Sequence, residues 1–314
     1  MSGPMKRAVA IGGGTGLPKV LWCLLEMGLE TTAVVTMADD GGSSGHLRRE
    51  LGMLPPGDAR NCLVAMASDQ SCSLARVFSY RFPLGEGLAG HALGNLIIAA
   101  LADIEGSFPA ALDAAGALLG ARGRVIPSTL DDVVLVAEDV EGVRVVGQKN
   151  VAESATPIAR VRFAGGEAEA YRPAAGEIEE ADLVVIGPGS LFTSIVPNFL
   201  AGGIRDALQS SRGLVVYVCN VANQRGETTG MDAADHLEAL QRHGLAGAID
   251  VVLLHDDDLW PLPAELDPVR AGAPELARIR AAGARPVRAN LVDPTDHRHH
   301  DRAALLAALL EVTS

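Results

Sequence analysis

The chain reads as an α/β protein with a doubly wound, mostly parallel sheet, an extra cluster of helices and a small antiparallel excursion. Three observations predict this. Continuous apolar runs at residues 9–11, 32–37, 183–186, 214–219 and 251–254 suit parallel strands covered on both faces. Segments of helical periodicity separate them. Glycine-rich turns follow several of the runs, as they do where such a sheet binds ligands at its strand ends.

Taken in order, residues 9–11 form a short strand and Gly12-Gly13-Gly14-Thr15-Gly16 a turn. Leu17, Val20, Leu21, Leu24 and Leu25 then recur at helical spacing, with Pro18 suited to the first turn and Gly28 to the end. After the strand at 32–37, Ala- and Leu-rich helices are expected near 56–67, 74–82, 91–101 and 109–119. Residues 124–163 change character. Apolar stretches at 133–136 and 143–146 flank Glu141-Gly142, and 158–163 alternates apolar with polar, so an antiparallel unit with one solvated face is expected. That face suits a subdomain or oligomer contact better than a chemical centre. Helices at 274–282 and 302–310 complete the chain. We expect one domain over residues 1–314, with the helical cluster at about 56–120 and the excursion at about 124–163.

Composition narrows the function. At 314 residues the chain can bury a large core without staples. A formal charge of −13, from 39 acidic and 26 basic residues, argues against a nucleic-acid surface, which needs a basic face to displace counterions. Cys23, Cys62, Cys72 and Cys219 form no C-x-x-C pair and read as small core residues in a reducing compartment. Residues 1–7 carry no export signal, and no apolar run approaches the roughly 20 residues of a membrane span. The expected location is the cytoplasm.

Chemistry is expected in the loops. In Asp39-Asp40-Gly41-Gly42-Ser43-Ser44-Gly45, glycine N–H groups and two hydroxyls can meet phosphate or sugar oxygens, while two carboxylates can take a metal or a ribose hydroxyl. Gly13, Gly14 and Thr15 open a helix where unpaired N–H groups and the dipole favour a phosphate. Leu17 stands where a dinucleotide fingerprint wants glycine, and the lysine-serine pair of a P-loop is absent. Asp58 reads as a helix cap, while Arg60 and Asn61 in the first turn call for an anionic partner. His91 and Asn95 share one helix face. Gly189 and Ser190 repeat the strand-to-glycine logic of the first loop, and Asn220 ends a further strand before Gln224, Glu227, Thr228 and Thr229. No catalytic nucleophile declares itself.

These motifs appear together and in order, and with them Leu54-Pro55-Pro56-Gly57-Asp58, Gly90-His91 with Gly94-Asn95, and Gly226-Glu227-Thr228. Over about residues 9–254 the chain resembles the YvcK-type gluconeogenesis factors, relatives of the phospholactate transferases in a CofD-like superfamily. The resemblance implies a Rossmann-like fold binding a nucleotide diphosphate compound, a UDP-sugar such as UDP-N-acetylglucosamine, and a regulatory role in cell shape during growth on gluconeogenic carbon sources. It places Gly13, Gly14, Thr15, Ser43, Ser44, Gly189 and Ser190 at the diphosphate and sugar, with Asp39, Asp40, Asn61, His91, Asn95 and Asn220 lining the same crevice. The alternative it implies is a transferase of the 2-phospho-L-lactate type, with Mg held by Asp39 or Asp40. A homodimer and regulators of cell-wall synthesis are the protein partners expected. The chain departs from the family at His46, usually arginine, at Ile279, where a tyrosine is expected, and at His299-His300-Asp301, where relatives carry Arg-His-Asp. With only two Trp, three Tyr and six Phe, it offers little aromatic surface to stack a deazaflavin acceptor.

Overall fold

The computed structural model describes residues 5–70, 72–256, 258, 261–262 and 267–314. Residues 1–4, part of the segment inspected for an export signal, lie outside the described residues. Its strands are β1 (Arg7–Gly12), β2 (Glu30–Val35), β3 (Arg124–Pro127), β4 (Leu135–Asp139), β5 (Arg144–Val146), β6 (Ile158–Phe163), β7 (Leu183–Ile186), β8 (Leu214–Val218), β9 (Val251–His255) and β10 (Arg285–Ala289). Seven of them form a parallel sheet in the order β10-β9-β8-β7-β1-β2-β3, and the others a separate antiparallel sheet, β5-β4-β6.

Alternation along the central strands feeds two cores. Val9, Ile11, Val34, Val184 and Ile186 pack into one, and Ala8, Ala10, Ala33, Val35 and Val185 into the other. Both faces of the main sheet are therefore covered, which is why its strands read as unbroken apolar runs. Helices Gly57–Met66, Ser73–Ser79, Leu93–Glu105 and Phe108–Leu119 form the expected cluster and share the second core with helix Leu17–Glu26. Since β1 lies between β2 and β7, successive connections leave it in opposite directions, and a crevice opens beyond its carboxyl end.

Three expectations need correction. Residues 124–127 do not belong to the antiparallel excursion: β3 is the parallel edge strand of the main sheet, with Ala33 opposite Val125. At the other edge, β10 has no apolar run to announce it, because it is only half covered and carries Arg285 and Arg288. Each of these edge strands holds a proline, Pro127 and Pro286, which lacks the N–H a further strand would pair with. Thirdly, the presumed serine loop is largely helix, spanning Gly42–Leu51. Its glycines and serines have low helix propensity, yet Gly45 is required, since a Cβ there would lie 1.9 Å from the Asp40 carbonyl oxygen.

Candidate functional site

At the carboxyl ends of β1 and β7 two glycine loops touch through their backbones. A Cβ on Gly16 would lie 2.1 Å from the Pro188 carbonyl oxygen, and one on Gly187 would lie 2.9 Å from Leu17 Cδ1. The second loop is clamped by Asn220, whose Oδ1 accepts from the Gly189 N–H at 3.0 Å while its Nδ2 donates to the Gly189 carbonyl at 2.7 Å. Ser190 Oγ donates to Gln224 Oε1 at 2.5 Å. Behind them lies the fully buried Glu227, which accepts from the N–H groups of Phe192 at 2.6 Å and Thr193 at 3.1 Å. Burial pushes its carboxyl up to about 7, although these donors oppose the shift.

These loops line a cleft of about 280 Å³ with Thr15, Lys19, Asn223 and the C-terminal residues Arg298, His299 and His300. Lys19 Nζ donates to the His300 carbonyl at 2.5 Å and stands 3.5 Å from Asp293. Asp296 grips Arg298 through two hydrogen bonds, of 2.9 and 3.0 Å, and His299 Nδ1 lies 3.1 Å from the same carboxylate. His300 is buried, its pKa lowered to about 4, and its Nε2 donates to the Cys219 carbonyl at 3.0 Å. The cleft thus offers backbone N–H groups at loop and helix starts, amides, and two cations: a surface for an anion carrying a polar headgroup.

A second polar cluster adjoins it across Gly13 and Gly14. Asp58 was expected to cap its helix and does not: it occupies the first turn, and its carboxylate accepts from the Gly14 N–H. A Cβ on Gly13 would lie 2.5 Å from Asp58 Oδ2. Burial and the charge of Asp39 push Asp58 up to about 6. Asp39 is raised too, chiefly by burial, against hydrogen bonds from the Gly41 N–H and Ser44. Ser44 Oγ accepts from the Gly57 N–H at 3.1 Å. Ser43 joins two candidates distant in sequence: its Oγ accepts from Asn95 Nδ2 at 3.0 Å and lies 3.1 Å from His91 Nδ1. Arg60 is buried against this cluster and donates to Asn61 Oδ1 at 2.6 Å, so Asn61 orients the guanidinium.

Asp40 stands apart from Asp39. Both its oxygens accept backbone N–H groups, from Gln148 at 2.9 Å and Lys149 at 2.8 Å, at the start of helix Gln148–Ala152. The antiparallel excursion is thereby tied to the loop that carries Asp39. Thr15, Gly189, Ser190 and Asn220 line or frame the cleft, whereas Asp39, Ser43, Ser44, Asn61, His91 and Asn95 gather in the second cluster, with Gly13 and Gly14 between them. Lys19, Asn223 and Arg298 were missed by sequence reasoning. Lys19 had a signal, lying in the first turn of a helix that opens on a glycine loop; Arg298 is brought in from the far end of the chain and had none. Of the positions that depart from the family pattern, His299 lines the cleft, His46 is exposed, and Ile279 is fully buried in the core.

The family model described as 2-phospho-L-lactate transferase CofD matches residues 8–292. The chain belongs to the CofD family. It is 39% identical over 316 residues to the gluconeogenesis factor of Bacillus subtilis, covering 98% of this chain and 99% of that one. It is 41% identical to a putative gluconeogenesis factor of Thermotoga maritima, covering 92% and 93% of the two chains. Against a putative gluconeogenesis factor of Nostoc sp. the identity is 45%, and the match spans 55% of that longer protein. A crystal structure of a UPF0052 family member from Bacillus halodurans superposes with a TM-score of 0.90 at 36% identity, over 98% of this chain and all of that one. Sequence and fold place the chain in the gluconeogenesis-factor branch of the CofD family.

Proposed function

We propose that the protein is a cytoplasmic regulator that binds a UDP-sugar resembling UDP-N-acetylglucosamine and supports cell shape during gluconeogenic growth, with a homodimer and regulators of cell-wall synthesis as its partners. The observation that carries the ligand class is the cleft at the carboxyl ends of the paired strands β1 and β7. Thr15, Gly16, Gly189 and Ser190 line it from two glycine loops, and Lys19 and Arg298 bring positive charge from two sides. A diphosphate would take the glycine loops, and a uridine or sugar would extend toward Asn223 and Gln224. Among the described residues no helix is long and apolar enough to cross a membrane, in keeping with a role away from one.

Calorimetry with UDP-N-acetylglucosamine, UDP-glucose, GDP and NAD, with and without magnesium, tests this reading. Heat is expected from uridine nucleotides, and silence toward all of them would overturn it.

A second reading, phosphoryl transfer of the 2-phospho-L-lactate transferase type, is favoured by the paired carboxylates. Asp39 and Asp58 both resist ionisation, which a cation beside them would relieve. Among the described residues no group of three or more His, Cys, Asp or Glu side chains could hold a metal. Mg²⁺ commonly needs only one or two carboxylates when phosphates supply further oxygens, so the pair suits an ion that arrives with the diphosphate. Asp39 and Asp58 would hold it, and Asp40, occupied by backbone donors, would not. Mg²⁺ so bound would neutralise the diphosphate, and Asp58 would take the proton of an acceptor hydroxyl as its oxygen bonds to the distal phosphorus, the bridging P–O bond breaks and the nucleoside monophosphate leaves. Phosphorus NMR with a UDP-sugar and candidate alcohols separates the readings, since a regulator yields no new resonance.

A further inference from the structure

The outer face of the three-stranded sheet has the opposite charge to the protein as a whole. Its register puts Glu138 of β4 opposite both Arg144 of β5 and Arg160 of β6, and Val136 opposite Arg162. Residues opposite one another, or two apart along a strand, share a face, so three guanidiniums stand on one surface. Arg242, beyond helix Ala233–Leu240, lines the same depression, of about 370 Å³. An adjoining depression of about 770 Å³ shares Arg160, Arg242 and His243 with it and has Ile158 and Met231 among its apolar lining.

The charges there are unbalanced. Glu138 is the one carboxylate lining the smaller depression, and Arg160 takes it at 2.7 Å. Arg144, Arg162 and Arg242 form no ion pair among the described residues. In a chain of formal charge −13, unpaired cations around one concavity repel each other, and an incoming anion would relieve that repulsion. Exposed Val140, Val143 and Val146 continue the surface with apolar area. A nucleic acid long enough to bind firmly would also meet the acidic remainder of the protein. A short peptide would not, and the apolar part of the groove can receive one of its side chains.

We propose that this groove docks an acidic peptide segment of a partner protein, its carboxylates against Arg144, Arg162 and Arg242 and an apolar side chain over Ile158 and Met231. The mode is electrostatic recognition with an apolar anchor, so binding weakens as salt rises. Fluorescence anisotropy with a labelled peptide alternating glutamate with leucine tests it, using the lysine-leucine counterpart and oligothymidylate as controls. The glutamate peptide should bind in a salt-sensitive manner, and Arg144→Glu combined with Arg242→Glu should weaken it about tenfold or more. The melting temperature and the heat evolved with UDP-N-acetylglucosamine should not change. Arg162→Gln, at an exposed position without an ion pair, provides a milder variant should the double one fold poorly. Absence of binding, undiminished binding by both variants, or equal binding of oligothymidylate would overturn the proposal.

Discussion

Asn220 holds Gly189 at both ends of its peptide environment, accepting from the glycine N–H at 3.0 Å and donating to its carbonyl at 2.7 Å. The residues are 31 positions apart, one just beyond the end of β8 and the other in the loop after β7. One side-chain amide therefore fixes the shape of the loop that faces the cleft.

Asn220→Ala removes both bonds. The expected cost is about 1–2 kcal/mol of stability. A loss of about tenfold or more in uridine-nucleotide affinity should accompany it, because the loop's donors are no longer preorganised. Calorimetry and thermal melting check the two effects, and unchanged affinity would detach Gly189 from the ligand.

Gly16→Ala tests the contact between the loops. Its Cβ would lie 2.1 Å from a backbone oxygen that cannot rotate away, so the two strand ends must separate. The variant should lose about 2 kcal/mol or more and bind nucleotide poorly. An alanine with wild-type melting and binding would show that the loops are free to part.

The two neighbouring aspartates should behave differently. Asp40→Ala removes the acceptor for the Gln148 and Lys149 N–H groups and is expected to lower stability by about 1 kcal/mol. Asp39→Asn removes a buried charge that raises the pKa of Asp58, and should leave the melting temperature level or higher while weakening any magnesium-dependent component of ligand binding. Reversed effects on melting would exchange their roles.

Glu227 sets a pH dependence of definite sign. Its folded pKa of about 7 lies above the ordinary 4.5, so the native state binds the proton more tightly. Its contribution is greatest below the unfolded pKa and is lost as the pH rises through about 7. Buried His236 and His300, lowered from 6.5 to about 4, act in the opposite sense and favour folding as the pH rises through that interval. Glu227→Gln should therefore gain stability relative to the parent between about pH 4.5 and 7, by up to about 3 kcal/mol. Denaturant titrations across that range measure the difference, and a flat one would mean that Glu227 is not preferentially protonated in the folded state.

Much of the site was legible because its signals are local. Gly12 to Gly16 and Gly187 to Ser190 follow buried strands, and the need for glycine there arises from contacts of the loop itself. Ser43 and Ser44 were found for their hydroxyls, but their helix was concealed by the weak propensity of Gly42 and Gly45. Asp58 was read as a cap because its position near a helix start is visible, whereas its contact with Gly14 joins two segments distant in sequence.

The amino-acid sequence by itself determined the alternation of strands and helices, the helical cluster and the glycine loops at strand ends, since periodicity and backbone freedom are properties of short segments. The tertiary structure decided which polar residues share a space. It separated Asp39 from Asp40, joined Ser43 to His91 and Asn95, brought Arg298 to Ser190, and moved Arg124–Pro127 into the main sheet. These relationships depend on strand order and on contacts between distant segments, and neither spacing nor local propensity encodes them.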